Sequence, residues 1–315
     1  MPFIATKEYH SSNGQAAEGD KKLNENKQKD IVILYLEWGS KNREVNFKEI
    51  QKILNISKTR FHIIVVDNKM ECKPISFMGA NSSICIPGNN ISREFSGWDV
   101  GLKYLESMGI FSNLVLFVND TFATHRRPRL FRRLRIAHFI NYASHEDKPV
   151  LFGQLDPARY SNMKHPLGNM NNFICTYFFG MNTSAIGLCS PLCDIESDIE
   201  NVLETDPSSS EVLKNSVDIT YRKHINEWYH QGNFWMNSES LNPQNFNFFR
   251  LKIKSVLYEH ALALKCRERG VKVINIYSGS SKGDAIIGGI FLKWLNFTAY
   301  CTRCIREMKL RIKRQ

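Results

Sequence analysis

Leu114-Val115-Leu116-Phe117-Val118-Asn119-Asp120-Thr121 decides the fold class of this chain. Its five leading apolar residues have the length and composition of a buried strand, and the run stops abruptly on Asn-Asp-Thr. Open α/β sheets bind ligands beyond the carboxyl ends of their strands, so an acid placed there is placed for chemistry. Phe61-His62-Ile63-Ile64-Val65-Val66-Asp67-Asn68 has the same form. Two carboxylates, Asp67 and Asp120, are therefore expected at one edge of one sheet. Either stretch alone reads equally well as a strand followed by an Asx turn; together they favour a site.

Outward from these runs, Ile31 to Leu36 is expected as a first strand, Phe47 to Leu54 as a helix and Ser83 to Pro87 as a short strand. Ser92 to Met108 is helical by periodicity, with Phe95, Trp98, Leu102 and Leu105 at spacings of three and four. Beyond Asp120 come an Arg-rich helix near Arg129 to Tyr142 and strands over Val150 to Leu155 and Asn172 to Gly180. An acidic segment with Pro-Ser-Ser-Ser, Asp194 to Ser210, reads as a surface loop or weak helix before a helix from Glu211 to Tyr229. A helix from Ile253 to Arg269, stopped by Gly270, and a strand from Val271 to Ile276 close the pattern. Short strands alternating with helices predict an α/β fold with a mostly parallel, Rossmann-like sheet flanked by helices. Residues 1–30 are polar and predict a flexible lead without a secretory signal. Residues 31–280 form one expected domain, and 281–315 a basic, amphipathic C-terminal helical extension.

Composition narrows the partners. Hydrophobic residues at 43% and charged residues at 23% are ordinary for a soluble globular chain of 315 residues. The excess of 42 Lys and Arg over 31 Asp and Glu, a net charge of +11, is not. It favours polyanions, anionic lipid surfaces or phosphorylated substrates. The eight cysteines show no dense disulfide framework and suggest free thiols in a reducing cytosol. Cys301 and Cys304 have half-site zinc spacing but no second Cys/His pair, and no uninterrupted apolar stretch of about 18 residues predicts a membrane span.

Between the two acid-terminated strands lies Pro87-Gly88-Asn89-Asn90-Ile91-Ser92-Arg93-Glu94-Phe95-Ser96-Gly97-Trp98-Asp99-Val100-Gly101-Leu102. With Val65-Val66-Asp67-Asn68 before it and Asn119-Asp120-Thr121 after it, this order resembles family 2-like glycosyltransferases of the GT-A fold, most of all bacterial surface-polysaccharide and rhamnan-synthesis transferases. The resemblance covers roughly residues 31 to 277, with a nucleotide-binding half over 31–121 and an acceptor half over 122–280. It implies that Asp67 accepts a hydrogen bond from the donor nucleobase with Asn68 beside it, that Asn89 and Asn119 line the donor site, and that Asp99 faces the nucleotide or donor sugar. Asp120 would hold Mg²⁺ or Mn²⁺ against the donor diphosphate, offsetting the charge of the leaving group. The usual Asp-X-Asp pair is reduced here to Asn119-Asp120-Thr121, so the metal rests on a single carboxylate.

Downstream, the segment from Tyr258 to Val273 is similar to the family's acid-bearing helix, which makes Glu259 the candidate general base of an inverting transfer; Glu227 is its rival. His260 is a candidate for the acceptor pocket, and Gly180 a position kept small for substrate. Six arginines within 125–135, Arg126 and Arg127 first among them, are candidates for donor or acceptor phosphates. Trp294, Arg306, Lys309, Arg311 and Lys313 suit an anionic membrane interface. The expected function is transfer of a sugar from a nucleotide-sugar donor to a glycan or lipid-linked glycan acceptor, on the cytoplasmic face of the inner membrane. A nucleic-acid-binding protein using the arginine clusters, or a catalytically silent GT-A scaffold, are the alternatives; no recognisable RNA or DNA module supports the first.

Overall fold

The computed structural model describes residues 30–277 except 76, 78, 79, 81, 111, 126, 127, 159–162 and 231–240. The first half runs β1 (Ile31–Glu37), α1 (Arg43–Ser57), β2 (Phe61–Asp67), β3 (Ser82–Pro87), α2 (Glu94–Ser107) and β4 (Leu114–Asn119). The second half begins with α3 (Phe122–His125), α4 (Leu130–His145) and β5 (Val150–Pro157), then a small hairpin of β6 (Met163–His165) and β7 (Gly168–Met170). There follow β8 (Asn172–Asn182), α5 (Thr183–Cys189), α6 (Glu196–Val202), α7 (Ile219–His230), α8 (Phe246–Glu268) and β9 (Lys272–Asn275). Seven strands form one sheet in the order β3-β2-β1-β4-β8-β5-β9. It is mostly parallel and carries helices on both faces.

Period-two alternation divides the central strands between two cores. Val32, Leu34 and Leu36 of β1, with Val115 and Phe117 of β4, face α2 and α8. Ile31, Ile33 and Tyr35, with Leu114, Leu116 and Val118, face α1 and α4. Strands covered on both faces need no polar alternation, which is why they read as continuous apolar runs. On the first face Phe117 stacks on Phe179 at 4.6 Å, and Trp98 meets both rings edge-on. Each fully buried side chain of this size stabilises the fold by roughly 1.5–3 kcal/mol.

Several elements depart from the sequence expectation. β8 is antiparallel to both neighbours, β4 and β5. It returns from β5 through the small hairpin and fills the place between β5 and β4. The helix expected from Glu211 begins only at Ile219, because Val212 and Leu213 are buried by a bridge to Leu203, and Asp218 Oδ1 caps the helix by accepting from the N–H groups of Thr220 and Tyr221. α8 starts a full two turns before Ile253, since Phe246 and Phe249 already pack into the core. Gly180 lies on the sheet between Leu116 and Phe152, and a Cβ there would overlap the Phe152 ring. It is small for packing, not for substrate. Gly180→Ala is expected to cost about 1–3 kcal/mol, read as a lower urea midpoint with an unchanged slope; a wild-type midpoint would refute the steric account.

Candidate functional site

From β1 the chain builds β2 and β3 on one side, then returns to lay β4 along the other. The carboxyl ends of β1 and β4 therefore flank the point where the strand order reverses, the place where open α/β sheets form a binding crevice. Trp38 and Gly39 follow β1 there, Asp67 and Asn68 end β2, and Asn119 and Asp120 end β4. The three strand ends are stitched together. Trp38 N–H donates to Asp120 Oδ2 and Gly39 N–H to Asp67 Oδ1, both at 3.2 Å. Trp38 itself is 57% exposed, an open aromatic face at the mouth of the crevice.

Asp67 is spent on the loop that follows it. Its Oδ1 accepts from Gly39 and Lys69 N–H, and its Oδ2 from Glu71 and Cys72 N–H. Four donors match the acceptor capacity of one carboxylate, so a nucleobase would have to displace one of them. Arg43 supports the same loop from below. Its guanidinium forks onto buried Glu37, with Nε to Oε2 at 3.0 Å, while Nη1 donates to the carbonyls of Lys73 and Pro74. Asn68 reaches the next loop, its Nδ2 donating to Arg93 O at 3.1 Å and Asn90 Oδ1 at 3.4 Å. A Cβ on Gly88 would overlap Asn68 Oδ1, so the glycine expected in this turn is demanded by close approach. Asn89 is exposed and shapes the turn, accepting from Ile91 N–H at 3.3 Å.

Asp99, expected to face the nucleotide or donor sugar, has its carboxylate engaged within the fold. Both its oxygens accept backbone N–H groups, from Leu192 at 2.6 Å and Cys193 at 2.9 Å. The carboxylate fastens residues 192 and 193 to α2, and burial outweighs those donors in raising its pKa. Asn119 likewise turns inward on its own turn, accepting from Thr121 N–H and Oγ1–H at 3.1 and 2.6 Å. Asn46, which no motif marked, completes the support. It donates to the Asp120 carbonyl at 2.8 Å and accepts from Ala123 N–H at 2.7 Å, locking α1 to the chain on both sides of Thr121.

The register runs the end of β4 toward the part of β8 that holds Glu259. The last ladder pair is Val118 with Phe178, two residues before Asp120 and, on the antiparallel β8, two after Thr176. Thr176 N–H donates to Glu259 Oε1 at 3.1 Å. Burial pushes Asp120 up to about 6, against the Trp38 N–H that favours its charge, with the carboxylates of Glu94 and Glu37 adding to the rise. Burial pushes Glu259 up to about 7, opposed by the Thr176 N–H and Lys252 and reinforced by Glu94 and Asp156. A carboxylate that holds a proton near neutrality is suited to exchange one. Glu227 lies on α7 and pairs with Lys223 at 3.9 Å.

His260 is interior to the fold. Its Nδ1 is 2.8 Å from the Tyr221 hydroxyl, its ring packs on Phe173, and burial drives its pKa well below the usual range. A neutral, buried imidazole does not serve as a phosphate cation. The arginines of α4 are also engaged within the protein: Arg132 lies over the Tyr177 ring, Arg133 pairs with Glu49 at 2.6 Å, and Arg135 donates to Ile276 O. Arg126 and Arg127 lie outside the described residues, as do Trp294, Arg306, Lys309, Arg311, Lys313 and the whole 281–315 extension.

Among the described residues no group of three or more His, Cys, Asp or Glu is arranged to hold a metal ion. Asp120 has one oxygen on Trp38 N–H, and Asn119 is committed to Thr121. This donor set fits a divalent cation only if a ligand supplies further oxygens, as a diphosphate does. No described helix is long and apolar enough to cross a membrane. No protein-family profile matches the chain, and no curated protein sequence matches it at significance.

Trp38, Glu37, Arg43, Asn46 and Glu94 were not singled out from sequence. For Glu37 and Trp38 a signal was present, because Ile31 to Leu36 is also an apolar strand run that ends on an acid.

Proposed function

We propose that this chain is a nucleotide-sugar-dependent glycosyltransferase of GT-A architecture that acts on a glycan or lipid-linked glycan. The observation that carries the reading is that two proton-retaining carboxylates, Asp120 after the end of β4 and Glu259 held by Thr176 of the adjoining β8, both feel the charge of Glu94. A diphosphate leaving group needs positive charge on one side of the anomeric carbon, and an attacking hydroxyl needs a base on the other. Asp120 would hold a divalent cation, which would supply positive charge to offset the departing diphosphate. Glu259 takes the acceptor's hydroxyl proton as the acceptor oxygen bonds to the anomeric carbon and the bond to the diphosphate breaks. Trp38 offers the exposed flat face against which a base or sugar ring stacks.

The test is a panel of sugar nucleotides screened by thermal unfolding with and without Mn²⁺, since a ligand that binds only the native state raises its melting temperature. At least one donor is expected to stabilise the protein, more so with Mn²⁺, and Asp120→Ala is expected to lose the Mn²⁺-dependent part alone. No stabilisation by any sugar nucleotide would remove the reading. Mn²⁺ dependence that survives in Asp120→Ala would remove the assignment of Asp120.

A further inference from the structure

Glu94 opens α2 directly after Arg93, whose φ of 49° turns the chain into the helix. Its Oε2 accepts a hydrogen bond from Ser255 Oγ at 2.7 Å. Ser255 is buried on α8 and stands four residues before Glu259, so the two share one face of that helix, a turn apart. Glu259 is held in turn by Thr176 N–H. Glu94 is thus fastened beside Glu259 by a side chain of Glu259's own helix. Among the described residues, the other charged or titratable groups that act on Glu259 or stand beside it include Asp156 from β5, Tyr221 from α7, and Lys252 and the neighbouring His260 from α8. Only Lys252 among them carries an opposing charge.

We propose that Glu94, held by Ser255, is a positioning residue that acts through Glu259 by setting its carboxylate on Ser255, one helical turn before Glu259. The proposal rests on the transferase reading only for where the proton comes from. A nearby like charge favours the protonated form of its neighbour, in line with the rise of Glu259 to about 7. Without it, Glu259 would release its proton more readily and would be a weaker base toward a hydroxyl. Glu94 touches the reacting atoms in no step. Its role is to tune the group that does.

The experiment follows the Glu259 side chain by ¹³C NMR in protein labelled at glutamate Cδ, titrated from pH 4 to pH 9 without substrate. Glu259→Gln identifies the resonance by removing it. In Glu94→Gln, which keeps the shape and the bond to Ser255 but not the charge, the Glu259 midpoint is expected to fall by about 0.5–1 pH. Ser255→Ala, which frees Glu94 while leaving its charge, is expected to move it part of the way. If transfer is found, the acidic limb of kcat/KM should move with the midpoint. An unmoved midpoint in folded Glu94→Gln overturns the proposal, whatever the transfer activity. A wild-type midpoint in the ordinary glutamate range overturns it as well. A midpoint that moves in a protein with no transfer or sugar-nucleotide binding upholds the coupling and removes the transferase reading instead.

Discussion

Asp120→Asn is expected to make the protein more stable at pH 8 and, if the proposed transferase reading holds, to lower sugar transfer steeply. Burial raises the Asp120 carboxyl from an ordinary 3.8 to about 6 in the folded chain. A folded-state pKa above the unfolded value contributes stability that is fully present below about pH 4 and is lost as the pH rises through about 6. At pH 8 the native state therefore carries an ionised, part-buried carboxylate that the unfolded chain would solvate freely. The penalty has an upper value of about 3 kcal/mol. Asparagine keeps the shape and can still accept from Trp38 N–H, so urea unfolding should favour the variant at pH 8 and bring the two proteins together near pH 4. Transfer should fall by about 10³-fold, as expected when an anchor for leaving-group charge is removed. A variant less stable than wild type at pH 8 would contradict the account of burial. A more stable variant with undiminished transfer would place the chemistry elsewhere.

That opposition between stability and activity is also what made Asp120 visible in the sequence. A polar residue closing a buried apolar run has a cost, and the acids at these strand ends, Glu37, Asp67 and Asp120, are neighbours along one edge. The two-core layering was legible for the same reason: strands buried on both faces show as unbroken apolar runs, and their parity assigns the faces. The antiparallel course of β8 was not legible. Phe173 to Met181 would be apolar and aromatic in either direction, and direction is set by the return through the small hairpin. Yet that direction is what runs the Thr176 segment, which holds Glu259, past the end of β4.

The roles of individual side chains were less legible than their positions. Asp67 and Asp99 have the residue type a ligand site needs, but both are consumed by backbone donors, from residues 39 and 69–72 in one case and from residues 192 and 193 in the other. No local pattern separates a carboxylate that caps a loop from one left open to substrate, because the difference lies in donors that arrive from elsewhere in the chain. Glu94 shows the converse. It reads as an ordinary acid in the first turn of a helix, where the dipole favours it, and gains its place at the edge only when α8 brings Ser255 to it.

Arg43→Met is expected to destabilise the protein by about 3–5 kcal/mol, the usual result of stranding a buried charge. Glu37 is only 1% exposed, and its two oxygens are taken by the forked Arg43 guanidinium. With Arg43 gone, Glu37 keeps the desolvation penalty without the compensating partner. A loss of that size is a large fraction of the 5–15 kcal/mol that typically separates folded from unfolded states. Replacing both, as Glu37→Met with Arg43→Met, should recover most of the loss, because a buried ion pair exchanged for apolar groups of similar volume is often neutral or better. Urea unfolding of the two single variants and the double variant measures the coupling. Recovery of function should not follow. Arg43 also holds the carbonyls of Lys73 and Pro74, so the double variant still lacks the tie between β1 and the loop organised by Asp67. Removing Glu37 also takes away one of the like charges that raise Asp120. The proposed sugar-nucleotide binding is therefore expected to stay weakened in the stable double variant. A single variant within about 1 kcal/mol of wild type, or a double variant that binds donor normally, would show that the ion pair does not support the edge.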